Sequence, residues 1–170
     1  VDTLCACGGE GLLVYTAAKK RAQGMELDEL AAWAEENAAC LQHWFTVDDL
    51  NHLKRGGRLS TAVALAGTML GIKPILVITG KGTIEAVAKV KRRKRALETL
   101  VERVGEFGSR LEEQTVFVGH CNCEEDAVKV AQNIRERYGV PEIVVHFIGP
   151  VIGTHAGPGG LGVFFFGQPR

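Results

Sequence analysis

A chain of 170 residues can bury one well-formed core or two small lobes. Its 20 lysines and arginines balance 20 aspartates and glutamates, so the molecule as a whole exerts no electrostatic pull on nucleic acid or an anionic membrane. It has no apolar run of membrane-spanning length and no basic, then apolar, opening of a signal peptide, so no stable membrane insertion and a cytoplasmic location are expected. Hydrophobic residues at 46% with few aromatics fit an ordinary globular protein. The odd set of Cys5, Cys7, Cys40, Cys121 and Cys123 reads as free thiols.

In chain order, residues Gly11 to Gln23 carry Leu12, Leu13, Tyr15, Ala17 and Ala18 at spacings that predict a helix, stopped by Gly24. Leu27, Leu30, Ala31, Ala34, Ala38 and Leu41 recur at helical spacing and predict a second helix from Leu27 to Trp44, followed by a short strand at Phe45 to Val47. Asp48 reads as the N-cap of a brief helix that ends before Gly56. The run from Ser60 to Met69 is apolar nearly all round and predicts a buried helix with Ser60 as its cap. Lys73 to Thr79 and Thr83 to Lys91 read as strands of a hairpin turned at Gly80-Lys81-Gly82, the second with Glu85, Lys89 and Lys91 on one wet face. A helix from Lys94 to Phe107, a strand from Thr115 to Gly119, a helix from Glu124 to Tyr138 and strands at Glu142 to Ile148 and Leu161 to Phe166 complete the chain. Strands alternating with helices, plus one hairpin, predict an α/β fold with a mixed sheet and flanking helices.

Two glycine-bearing blocks stand out. Residues 53–60, Leu-Lys-Arg-Gly-Gly-Arg-Leu-Ser, place Arg58 after backbone that can take positive φ or approach a neighbour closely. The helix start expected at Ser60 adds free N–H groups beside it. Residues 149–160, Gly-Pro-Val-Ile-Gly-Thr-His-Ala-Gly-Pro-Gly-Gly, surround His155 with glycines that can form a backbone N–H nest. Arg58 can hold a carboxylate through two parallel hydrogen bonds, and imidazole can donate to one or shuttle a proton. Thr154 is a weaker second donor. Together they suggest a site for a carboxylate or phosphate, against the plainer readings of a surface arginine after a tight turn and a structural histidine.

Other features carry less chemistry. Cys121-x-Cys123 after His120 and Cys5-x-Cys7 can be read as a soft-metal site, but zinc pairs are usually Cys-x₂-Cys, and alternate residues on a strand simply share a face. No metal is therefore assigned. The basic run from Lys89 to Arg95 lacks an aromatic stacking platform and reads first as a solvated face, second as a docking patch for an acidic partner. No Walker A motif, dinucleotide fingerprint or Gly-x-Ser-x-Gly elbow is present.

The motifs also carry a family resemblance. Asp48-Asp49-Leu50 with Leu53-Lys54-Arg55-Gly56-Gly57-Arg58, then Gly71-Ile72-Lys73-Pro74-Ile75-Leu76, then Gly149 through Gly159 resemble the DegV family, in order over nearly the whole chain. Asp2-Thr3 and Cys7-Gly8-Gly9-Glu10-Gly11 resemble a further family segment, with Thr3 and Cys7 where serine is usual. The resemblance implies binding of a long-chain fatty acid, with no other cofactor and Arg58, His155 and Thr154 at its head group. It implies presentation of the carboxylate to a fatty-acid kinase for acyl-phosphate formation, the chain itself not being the catalyst. It also implies a two-lobe architecture whose first lobe is largely absent, so that the chain reads as a fragment lacking the upstream hydroxyls that hold the carboxylate. Residues 1–58 then end the N-terminal lobe with its connecting helices, and residues 59–170 form the C-terminal α/β lobe. Candidate lining for the acyl tail is Leu65, Met69, Leu70, Ile72, Val151, Ile152 and Phe164 to Phe166. Two alternatives stay open: an enzyme acting on a small carboxylated or phosphorylated metabolite with His155 as acid/base, and a regulatory module that uses the basic run 89–95.

Overall fold

The computed structural model describes residues 1–58 and 71–170. The expected helix from Ser60 to Met69, its Ser60 cap and the lining candidates Leu65, Met69 and Leu70 lie outside the described residues. The elements are α1 (Cys7–Ala22), α2 (Leu27–Ala38), β1 (Leu41–Thr46), α3 (Leu50–Arg55), β2 (Ile72–Ile78), β3 (Ile84–Lys91), α4 (Arg93–Phe107), β4 (Thr115–His120), α5 (Glu124–Tyr138), β5 (Glu142–Phe147), α6 (Pro150–Ala156) and β6 (Leu161–Phe166). The six strands form one sheet in the order β3-β2-β1-β6-β4-β5. Only β4 and β5 run parallel, joined through α5; the other neighbours are antiparallel. The expected mixed α/β class is observed. Among the described residues no helix is long and apolar enough to cross a membrane.

The expected helix from Leu27 to Trp44 is corrected. It ends at Ala38, and Leu41 to Thr46 forms β1, the strand between β2 and β6. The pairs run from Leu41 with Phe166 to Thr46 with Leu161. This ladder places Leu41 in the cluster under α1 and Trp44 in the cluster under α4 and α5, on opposite faces of the sheet. A strand does this because successive side chains alternate. Helical spacing through Leu41 was genuine but local, and the aromatic and β-branched run Trp44-Phe45-Thr46-Val47 outweighs it once partner strands exist. β1 belongs to the residues the resemblance assigned to a first lobe, and it lies inside the sheet.

Strand β6 is buried on both faces, as an inner strand should be. Val163 and Phe165 face α4 and α5, where Ala96, Leu100, Val104, Val130 and Ile134 pack on Val116 and Val118. Phe164 faces the other way, against Leu12, Leu13 and Leu41. That second face is shared. α1 and α2 cover one part of it, and α3 and α6 build a separate cluster of Val47, Leu53, Leu76, Cys121, Ile148 and Ala156 on another.

The hairpin of β2 and β3 turns at Gly80-Lys81-Gly82 as expected, with Gly82 at φ +72°. Its outer strand does not keep one wet face. Ile75 pairs with Ala88 but Leu76 pairs with Ala86, so Val87 is an extra residue, a β-bulge. Ile84 and Ala86 therefore pack with the α3 and α6 cluster, whereas Ala88 and Val90 pack with the α4 and α5 cluster.

Helix α5 begins with Glu124, Glu125 and Asp126, where the helix dipole favours acid, and ends at Gly139 in the left-handed region at φ +66°. Across the molecule, Glu142 on β5 ties the edge of the sheet to α1. Its carboxylate accepts from Tyr15 Oη, Lys19 Nζ and Thr115 Oγ1, each at 2.6 Å. Those three donors, Lys19 first, hold its pKa down at about 2. A carboxyl depressed in the folded state contributes stability that is fully present above its unfolded pKa of about 4.3 and is lost as pH falls toward 2. Glu142→Gln is expected to flatten the fall of thermal midpoint between pH 4.5 and 2. The check is a melting series in acid, in which the variant and the parent differ at neutral pH and converge at pH 2.

Candidate functional site

The two glycine-bearing blocks meet. α3 starts at Asp49, not Asp48: the Asp49 carboxylate accepts from the Asn51 amide at 2.8 Å. Asp48 instead pairs with Lys73 Nζ at 2.6 Å and with Arg93 Nη1 at 3.5 Å. The second block is not a nest of free amides. Residues Pro150 to Ala156 form α6, in which Gly153 N donates to Gly149 O and Gly157 N to Gly153 O. The signal for it was Pro150, preset for the first helical position, with Gly157 past the end at φ +73°. His155 is thus presented by the last turn of a helix.

Three contacts of one kind join the blocks. A Cβ on Gly56 would overlap the His155 ring, a Cβ on Gly157 the His52 ring, and a Cβ on Gly159 the Asp48 carboxyl. Each glycine leaves the space that the opposing side chain fills. His155 Nδ1 is buried against Gly56 without a hydrogen-bond partner, so Nε2 is the nitrogen left to meet anything beyond that contact. Arg58 curls back over the same turn: its amide donates to Leu53 O at 2.9 Å and its Nη1 to Gly56 O at 2.7 Å. That uses one of five guanidinium donors.

Arg58 and His155 both line a cavity of about 400 Å³. Its floor is His43 and Phe45 of β1 with Gly162 and Phe164 of β6. One wall is Leu53, Arg58, Ile152 and His155; Ala6 and Cys7 at the start of α1 contribute another part of the lining. Ile78, Gly82, Thr83 and Ile84 of the hairpin close the rim. A second cavity of about 350 Å³ shares Cys7, Val151 and Ile152 with the first and extends past Phe117 and His146. The arrangement is an apolar pocket with a permanent cation and an imidazole on one wall, suited to an amphiphile with an anionic head.

The structure separates the other expected residues. Thr154 is not among the lining residues; its hydroxyl donates to Pro150 O at 2.7 Å, one turn back in α6. Of the described tail candidates, Val151, Ile152 and Phe164 line the cavity. Ile72, Phe165 and Phe166 do not: Phe165 lies in the α4 and α5 core and Phe166 against Trp33. Among the described residues no three potential ligands gather as a metal site. His120 Nδ1 accepts from the Cys123 amide at 3.4 Å, and burial pushes the Cys121 thiol up to about 11. The basic run is partly neutralised: Arg93 bonds Asp126 at 2.9 Å and Gly159 O at 2.6 Å, and Arg95 grips Glu102 at 2.7 and 3.0 Å.

Sequence reasoning gave low weight to two of the lining residues, His43 and Cys7. His43 lies in the stretch read as helix, and only its place on β1 turns it to the floor. It is 1% exposed, and its Nδ1 donates to Leu41 O at 3.1 Å, which fixes the tautomer. Burial first, then the charge of Arg170, lowers its pKa to about 4, so the floor is neutral at physiological pH. Cys7, read as a free thiol and a departure from serine, stands at φ +55° at the start of α1, its thiol pKa raised by burial.

Because His155 occupies the place of a Gly56 side chain, Gly56→Ala is expected to cost about 1–3 kcal/mol of stability, the usual scale of overpacking. Denaturant unfolding of the variant checks it; Gly57→Ala, which meets no atom within 4 Å, is the control for backbone effects at φ +69°.

Comparison with known proteins identifies the family and the fold. The family model described as "Uncharacterised protein, DegV family" matches residues 1–168. A DegV domain-containing protein of Clostridium perfringens is 46% identical over 170 residues, covering all of this chain and 58% of the relative. A solved DegV-family structure from Ruminococcus gnavus, with vaccenic acid, superposes with a TM-score of 0.88 at 26% identity, covering 96% of this chain and 58% of that one. A structure described as fatty acid binding of a DegV family protein from Thermus thermophilus superposes at 0.87 with 29% identity, covering 99% and 60%. The chain spans a little under three fifths of the length of these relatives, and with its motifs, sheet and family match taken together it belongs to the DegV family.

Proposed function

We propose that this chain is the part of a DegV protein that holds the head of a long-chain fatty acid. The carboxylate lies against Arg58 and His155 Nε2, and the acyl chain runs over Phe45, Phe164 and Ile152. The observation that carries the reading is that Arg58 and His155, about a hundred residues apart, share one wall of an otherwise apolar cavity. The fatty acids named for the R. gnavus and T. thermophilus relatives support the ligand class.

The energetics favour this division of labour. Each methylene removed from water contributes about 0.8 kcal/mol, so a long chain supplies on the order of 10 kcal/mol before ordering costs. A carboxylate buried without partners costs several kcal/mol. A guanidinium offsets that cost with paired, charge-assisted hydrogen bonds whose planar geometry lysine does not reproduce. Thr154, turned back into its own helix, would join the head group only after giving up its bond to Pro150 O. The chain supplies no nucleotide-binding motif, so phosphorylation of the carboxylate falls to a fatty-acid kinase to which the bound acid is presented. No separate cofactor is called for.

The test is mass spectrometry of the purified chain, native and then denatured, followed by lipid extraction. It is repeated on a full-length hybrid in which this chain replaces the matched part of the C. perfringens relative. One fatty acid per chain, released on denaturation, is expected, and a bare polypeptide in both forms overturns the reading. In the form that binds, Arg58→Gln is expected to weaken affinity about 10- to 100-fold, the worth of a charge-assisted bond of about 1.5–3 kcal/mol. His155→Phe should weaken it less. Unchanged affinity in both variants removes these residues from the head group.

A further inference from the structure

Arg170 is not a lining residue, yet its guanidinium gathers acceptors from three separate segments. Nη1 donates to Leu4 O at 3.2 Å and to Thr79 O at 3.3 Å. Nη2 donates to Thr3 O at 3.1 Å and to Ala38 O at 3.1 Å, and contacts Cys5 Sγ at 3.4 Å. The main chain adds to the grip, with Arg170 N donating to Ala39 O at 2.9 Å. A Cβ on Gly80 would lie 2.7 Å from Arg170 O, so the hairpin turn rests directly on this residue.

Two of the gathered segments lead straight into the cavity. Thr3 to Cys5 run into Ala6 and Cys7, the α1 part of the lining; Thr79 follows Ile78 and precedes Gly82 and Thr83, the hairpin part. The first segment is held in an unfavourable shape, with Leu4 at φ +49° and Cys7 at φ +55°. Residues with a Cβ adopt that region only where their surroundings impose it. The carbonyls of Thr3 and Leu4, on either side of the Leu4 turn, are both held by Arg170. A planar fork with five donors can satisfy acceptors in several directions at once, whereas a lysine ammonium is a single point on a flexible stem.

We infer that Arg170 is a positioning residue for ligand binding, a clamp that sets the distance between the α1 wall and the hairpin rim of the cavity. The inference rests on the fatty-acid reading above. It gives the cavity a built width: loosening the clamp lets Leu4 and the Thr79–Thr83 turn drift apart while the Arg58 and His155 wall stays in place. It also accounts for the second influence on His43, whose pKa of about 4 reflects burial first and the nearby Arg170 charge next.

The experiment compares the parent with Arg170→Gln and Arg170→Lys in the full-length hybrid, with vaccenic acid as the probe. Three readouts are taken: affinity, thermal midpoint and the NMR titration of the His43 ring. Arg170→Gln is expected to weaken vaccenic acid binding about tenfold, the scale on which supporting contacts act on a site, and to move the His43 titration upward. Arg170→Lys keeps the charge but not the fork, so it should weaken binding while leaving His43 close to its parent value. Parental affinity in both variants overturns the inference, as does a loss that merely tracks the unfolded fraction. A parent that holds no vaccenic acid sinks the ligand reading instead. Hydrogen exchange at the Leu4, Cys5, Cys7 and Gly82 amides then tests the clamp, and unchanged protection in Arg170→Gln overturns it.

Discussion

Everything functional in this fold depends on side chains that are missing. Gly56, Gly157 and Gly159 leave three gaps, and His155, His52 and Asp48 fill them. In a close-packed interior a single extra carbon displaces its neighbour, so these gaps decide whether α3 and α6 can lie against each other at all. When they do, a residue from the first block and a residue from the second face the same space. Arg58 and His155 are neighbours because glycine is nothing more than backbone.

That space exists because the sheet offers it. β1 and β6 are inner strands with both faces in use, and α4 and α5 take one face with the larger core. On the other face, α1 covers one region and the α3–α6 pair another, and between them His43, Phe45 and Phe164 remain as a floor. The bulge at Val87 contributes by switching sides: it sends Ile84 and Ala86 toward the α3–α6 cluster, although the same strand serves the opposite core two residues later.

The electrostatics are arranged in layers. The floor is uncharged, since His43 is buried with its tautomer fixed by Leu41 O and its proton affinity lowered. The permanent charge sits on the wall, where one Arg58 donor is held by Gly56 O. In the basic run, Arg93 is paired with Asp126 and Arg95 with Glu102. Arg58 thus brings a permanent charge to a cavity whose lining is mostly apolar.

The sequence alone determined those parts of the molecule that depend on neighbours in the chain. Helix α5 and strand β6 fall where periodicity put them, the hairpin turns at its two glycines, and the family motifs named Arg58 and His155. Tertiary structure decided everything that depends on partners distant in sequence. Helical spacing in Leu27 to Leu41 concealed β1 because only β2 and β6, supplied later in the chain, make Trp44 and Phe45 a better strand than helix. The glycines around His155 suggested a backbone nest because the room that Gly157 and Gly159 leave for His52 and Asp48 is visible only when the blocks meet. Thr154 read as a weaker second donor beside His155, and in the folded chain its hydroxyl donates to Pro150 O one helical turn back. Chain order records which side chains exist and which local shapes they prefer, whereas the gaps they fill belong to residues elsewhere, and it is these gaps that place the site.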